Sequence, residues 1–301
     1  MVIYIVEVFS SFFLKNIGCN NFVPYDFAEL GDEIGCISPS FIDKNVKYQP
    51  YFLDILTVEF EDQNLIKEDS QLNRMNDSNY INSLFDKFYE QFSDGCTGQY
   101  SLSVEFVCEK VTNFCKINNL QCDFLKLKSQ LNKLVVYDYF MLNYDRGWQN
   151  LTILVKENNK KLTFEMAPIY DNGECFGMEN FDRLPKDRKY DENYLAMGLS
   201  ENGRIYDFSG NKLFENQNLI AVDIAEIAKN DHEIKKIVKN CVNLDITDLI
   251  DQFEKQFDIE LPENYKEVII NCYNSQVKKF KTANANLNKK LNRDNIKDEY
   301  V

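Results

Sequence analysis

Two carboxylates and an amide in one stretch have the types and order for chemistry on a charged group. Asp145 follows an apolar run that ends at Leu142, Asn150 comes five residues later, and Asp171 lies beyond two strand-like segments. A carboxylate held in a loop can accept a proton from a hydroxyl nucleophile. An amide oxygen and a second carboxylate are hard oxygen donors of the kind that hold Mg²⁺ beside phosphate groups. Phosphoryl transfer asks for little more, because its catalysis is positioning and neutralisation of charge. The plain alternative is a polar turn between a helix and a strand.

These residues need elements to hold them. Phe124 through Leu142 reads as a helix with Asp123 as its N-cap, leading straight into the loop of Asp145. The runs Leu151 to Val155 and Leu162 to Met166 flank Asn158-Asn159 and predict a hairpin. Such a hairpin would set Asn150 and Asp171 side by side on one Mg²⁺ site. Upstream, residues 2 to 16 read as a mostly apolar helix with Glu7 embedded in it, stopping near Asn16 and Gly18. Tyr25 to Phe60 alternates like strands, with a turn at Ser38 to Phe41 and a last candidate strand from Tyr51 to Phe60. Ser78 to Phe92 and Ser101 to Ile117 read as helices separated by the loop Asp94 to Gly98.

After the hairpin, Cys175 to Gly210 reads as an irregular loop with local positive charge from Arg183, Lys186, Arg188 and Lys189. Four helices then follow, over Asn216 to Lys229, Asp231 to Val242, Asp245 to Phe257 and Pro262 to Leu291. They are expected to pack as a bundle under the active loop, with the tail from Asn284 frayed at its end.

The order Asp145, Asn150, Asp171 is that of the protein-kinase catalytic loop, in which an Asp accepts the substrate proton, an Asn five residues on holds Mg²⁺ and a later Asp holds the metal between the phosphates. More narrowly, Asp145-Arg146-Gly147-Trp148-Gln149-Asn150, a hairpin, and Ala167-Pro168-Ile169-Tyr170-Asp171-Asn172-Gly173 resemble the HipA-like serine/threonine kinases of bacteria. Glu7-Val8-Phe9-Ser10 and Val23-Pro24-Tyr25 are similar to that family's helix and following short strand. The resemblance implies an α+β, protein-kinase-like (HipA-like) fold with a reduced N-terminal lobe over 1–62 and a large, mainly helical C-terminal lobe over 63–301. The catalytic loop would be 143–150 and the metal-binding loop 167–173.

It further implies ATP and Mg²⁺ as cofactors, Asp145 as base, Asn150 and Asp171 as metal ligands, and Glu7 as partner of the ATP-binding Lys. Gly147 stands where the family has a His, and Cys175 where a Ser is common. The chain opens on the helix itself, where the family has preceding strands with a glycine-rich loop and the Lys. Three expectations follow from that: a weak kinase, a partner chain that supplies the missing lobe, or a pseudokinase that binds and regulates other proteins. The family's toxin-type role implies a protein substrate and an antitoxin partner.

Composition bounds the alternatives. The 301 residues are 44% hydrophobic and 14% aromatic, enough for a packed core. A net charge of −14 argues against nucleic acid or an anionic membrane as partner. Nine Cys without a C-x-x-C pair and a single histidine, His232, leave little for a zinc site and fit reduced thiols in a cytoplasmic protein. Cys108, Cys115 and Cys122 recur every seven residues, which two helical turns explain without a metal. His232, beside Asp231, reads as a surface or capping residue, and the Lys-rich run near Lys278 as a solvated helix face.

Overall fold

A computed structural model describes residues 2–31, 33–50, 104–143, 150–158, 161–177 and 217–298, together with Phe52, Ile55 and Arg146. Its elements are helices α1 (Val2–Asn16), α2 (Val104–Ile117), α3 (Phe124–Met141), α4 (Gln217–Asn230), α5 (His232–Asn243), α6 (Ile246–Phe257) and α7 (Glu263–Asp298). Strands are β1 (Asp26–Leu30), β2 (Glu33–Ile37), β3 (Val46–Tyr48), β4 (Ile153–Asn158) and β5 (Lys161–Met166). The result is an α+β fold with a small sheet beside α1 and a helical body.

α1 is apolar nearly all round, as a helix enclosed by the core must be. Phe9, Phe12 and Phe13 meet Phe176, Phe253 and Tyr273 edge to face, with ring centroids 5.2 to 5.6 Å apart. The helix ends in a Schellman motif: the Cys19 amide donates to Leu14 O and the Gly18 amide to Lys15 O, with Gly18 at φ +86°. The chain then runs beside the segment after β5, where Val23 N–H donates to Ile169 O and Ile169 N–H to Asn21 O. α1 and the loop that ends in Asp171 are therefore joined by backbone as well as by side chains.

β1 and β2 form an antiparallel hairpin packed on α1. β3, β4 and β5 form a separate antiparallel sheet in which Ile153 faces Met166 across the β4–β5 pair. This sheet draws strands from both sides of the expected boundary at residue 62. Phe52 and Ile55 are buried and helical rather than extended, so the strand expected over Tyr51 to Phe60 is corrected at those two positions. Phe52 N–H donates to Leu151 O, which pins this segment to the start of the hairpin. The rest of that candidate strand, the helix Ser78 to Phe92, the loop Asp94 to Gly98 and the basic loop near Arg183 lie outside the described residues.

The helices begin where short polar side chains accept the orphan amides of a first turn. Asp123 accepts from Lys126 N, Asp231 from Glu233 N and Ile234 N, and Asp245 from Thr247 N and Asp248 N. α3 is fastened to α7 by a reciprocal pair: Tyr139 Oη donates to Gln276 O, and Gln276 Nε2 donates to Tyr139 O. Cys108 and Cys115 are buried on α2, whereas Cys122 lies past the helix end, so the seven-residue spacing marks one helix face for two cysteines only. α7 continues to Asp298, past the expected end at Leu291. Among the described residues no helix is long and apolar enough to cross a membrane.

Gly18→Ala is expected to destabilise the fold by about 1 kcal/mol, because a side chain at positive φ is strained even where space is open. A Cβ there would sit 3.6 Å from Asn240 Nδ2, an ordinary contact, so thermal unfolding should report backbone strain rather than a clash.

Candidate active site

α3 stays apolar almost to its end, where Asp138 interrupts the run Val135 to Met141 with a carboxylate that is 4% exposed. A charge so deeply enclosed needs a partner. Arg146 supplies it: Nε lies 3.1 Å from Asp138 Oδ2 and Nη2 lies 3.1 Å from Oδ1. Burial raises the Asp138 pKa while Arg146 and Asn143 counter it, and the guanidinium remains charged at any relevant pH.

The same guanidinium collects the two loops. Nη1 donates to Asn150 O at 3.2 Å and to Tyr170 O at 2.6 Å, and Nη2 donates to Asn172 Oδ1 at 2.7 Å. Asn143 Nδ2 adds bonds to Asp138 Oδ1 and Asn172 Oδ1. One planar fork therefore sets the end of the 143–150 segment against the segment that carries Asp171.

Asp171 itself has φ +55°, a left-handed conformation that Asp tolerates better than most residues. Its neighbours are gripped on both sides. Tyr170 O is held by Arg146, while the Asn172 amide donates to Glu7 Oε1 at 2.9 Å and Ser10 Oγ donates to Asn172 O at 3.3 Å. Glu7 and Ser10 sit three apart on one face of α1, so the helix holds the loop through two prongs.

Glu7 is 6% exposed, so its carboxylate lies inside the fold rather than in water. Its Oε2 has no hydrogen-bond partner among the described residues, and neither has Asn172 Nδ2. Burial, the strongest influence, and the nearby Asp171 charge push the Glu7 carboxyl from its ordinary 4.5 up to about 7, against the Asn172 amide that favours ionisation. Tyr25 of the Val23-Pro24-Tyr25 segment is raised to about 12, by burial first and then by the charge of Glu7. Two carboxylates thus share one corner of the site, an arrangement that a cation would relieve.

Of the residues singled out in the sequence, Glu7 and Asp171 are brought into electrostatic contact, and Asn150 is joined to the Asp171 loop through Arg146. Asp145 lies outside the described residues. Among the described residues, no group of three or more His, Cys, Asp and Glu converges in the manner of a metal cage. The side-chain amide oxygen of Asn150 and the carboxylate of Asp171 are hard oxygen donors, the ligand type that Mg²⁺ takes. Cys175 is fully buried, and burial raises its thiol well above the ordinary range. His232 is exposed at the first position of α5, next to its capping Asp231.

Sequence reasoning assigned no role to Asp138, Asn143, Arg146, Ser10 or Asn172. The available signal was Asp138, a lone carboxylate inside an apolar helical run, with an Arg eight residues on.

No protein-family profile matches the chain. Among solved structures it is similar to the crystal structure of a Helicobacter pylori proinflammatory kinase, CtkA. The likeness has a TM-score of 0.59 at 14% identity and covers 94% of this chain and 83% of that one. The protein has a kinase-like α+β fold.

Because the folded chain binds the Glu7 proton more tightly than the unfolded chain does, stability attributable to this group is present below pH 4.5 and lost as pH rises toward about 7. Glu7→Gln keeps the acceptor for the Asn172 amide without the charge. Its stability relative to wild type should improve by about 3 kcal/mol between pH 4.5 and pH 8, read by chemical denaturation at both ends. A gap that does not change with pH would show that Glu7 ionises normally. Asp138→Asn should cost about 3 to 5 kcal/mol at neutral pH by leaving Arg146 buried without a counter-charge.

Proposed function

We propose that the protein is an ATP-dependent protein serine/threonine kinase of the HipA-like type, transferring a phosphoryl group to a protein hydroxyl. The observation that carries this reading is the double fastening of the Asp171 loop, to Asn150 through Arg146 and to α1 through Glu7 and Ser10. A phosphoryl-transfer site must hold its metal ligands and its phosphate-side carboxylate in fixed relation before substrate arrives. Asp145 would accept the proton of the attacking hydroxyl, and Asn150 and Asp171 would hold Mg²⁺. The metal, when bound, supplies charge neutralisation at the phosphates. Glu7, with one carboxylate oxygen lacking a hydrogen-bond partner among the described residues, would meet a cation that orders the ATP phosphates.

The motif resemblance extends this proposal to a toxin-type kinase acting on a cytoplasmic protein and restrained by an antitoxin partner. A second reading, a catalytically weak or inactive pseudokinase that binds other proteins, draws on the same Glu7 oxygen, which has no hydrogen-bond partner among the described residues.

Calorimetry with Mg²⁺ and ATP separates the two. The kinase reading expects saturable binding by wild type and its loss in Asp171→Ala. Asp145→Ala should keep nucleotide binding but lose phosphoryl transfer by about 10³-fold or more, measured by labelled phosphate on a serine-containing protein mixture. Binding that survives Asp171→Ala would remove that carboxylate from the metal site, and no binding by wild type would favour the pseudokinase.

A further inference from the structure

Beside the Asp171 loop lies a cavity of about 520 Å³, with Arg146 and the proposed metal ligand Asn150 in its lining. Its volume is in the range of small-molecule sites. One wall is a single face of α3, with Lys133, Leu134 and Tyr137, and the other a single face of α5, with Lys236, Ile237 and Asn240. The roof is the turn from Ile17 to Asn21, fixed in place by the bond from Asn240 Nδ2 to Ile17 O at 2.9 Å. The floor is the chain from Met166 to Tyr170 with Leu151 and Thr152.

The chemistry of this lining is divided. Met166, Ala167, Ile169, Leu151 and Ile237 are buried or nearly so and make the interior apolar. Lys133 and Lys236 project from the two facing helices, with Glu233 as the acid among the lining side chains and paired to Lys133. Lys236 has no ion pair among the described residues. In a chain of net charge −14, an apolar chamber with lysines on both walls selects for a molecule unlike the bulk of the protein's own surface.

We propose that this cavity is a regulatory site for an amphiphilic anion, a small molecule with a flat or aliphatic apolar body and one acidic group. The apolar body would lie on the floor and the acidic group near Lys236. Because the floor continues directly into Tyr170 and Asp171, occupancy stiffens the segment that presents Asp171. The coupling is physical: Ala167 N–H donates to Thr152 O and Ile169 N–H to Asn21 O, so the floor, the hairpin and the roof are bonded into one unit. The inference goes beyond the kinase reading, and occupancy of the cavity requires no catalysis.

The test uses the full chain, with 8-anilinonaphthalene-1-sulfonate as the anionic probe and N-phenyl-1-naphthylamine as its neutral counterpart. Wild type should bind the sulfonate saturably at one site, and the bound probe should slow hydrogen exchange at the Ala167 and Ile169 amides. Lys236→Glu, at an exposed position, should weaken the sulfonate about fivefold and leave the neutral probe unchanged. Ile237→Trp, which fills the cavity from α5, should abolish both. Absence of saturable binding by wild type, or unaltered exchange at Ala167 and Ile169, overturns the proposal. So does equal sulfonate affinity in Lys236→Glu, a result that stands even where Ile237→Trp fails to fold.

Discussion

The arrangement of the site depends on one buried guanidinium. Arg146 is 2% exposed, and its N–H groups reach a carboxylate on α3, a carbonyl at Asn150, a carbonyl at Tyr170 and the side-chain oxygen of Asn172. A lysine could neutralise Asp138, but a point charge with three rotating donors cannot hold that many acceptors in one plane. Burial makes the bonds to Asp138 and Asn172 count most, since either acceptor released from the fork would lie in a low-dielectric interior. The ion pair is best understood as a device of geometry: its desolvation offsets much of its attraction, and what remains is a fixed relation between two loops.

That relation would still leave the Asp171 segment free to lift away from the body without α1. The aromatic contacts of Phe9, Phe12 and Phe13 set the helix rigidly in the core, and from that base Glu7 and Ser10 grip Asn172 at its amide and its carbonyl. The cost is borne by Glu7, a carboxylate in a dry corner beside another carboxylate. Its upward shift to about 7 is the signature of a group held where its charge is unwelcome. Stored electrostatic strain of this kind clusters at functional sites more than in ordinary cores. The chain leading to Asp171 also floors a cavity, so the position of Asp171 is open to influence from there as well as from α1.

What the sequence by itself determined is whatever depends on near neighbours. Helix starts at Asp123, Asp231 and Asp245, the stop at Gly18, and the β4–β5 hairpin all follow from side chains acting within a few residues of themselves, and the motif order already pointed to a kinase-like α+β chain. Local reasoning failed where a longer-range contact overrode it. Phe52 and Ile55 carry strand-forming side chains yet are helical, in a segment pinned by Phe52 N–H to Leu151 O, and Cys122 keeps a helical spacing while lying outside the helix. The tertiary structure alone decided the site's inner workings. Glu7 and Asn172 are 165 positions apart, and whether that glutamate faces water or grips a loop cannot be read from its neighbours on α1. Asp138 and Arg146 sit close in sequence, but the acceptors at Tyr170 and Asn172 reach the guanidinium only once the hairpin has brought the chain back. Hydrogen bonds act over about 3 Å, and only the packed core determines which distant groups come within that distance.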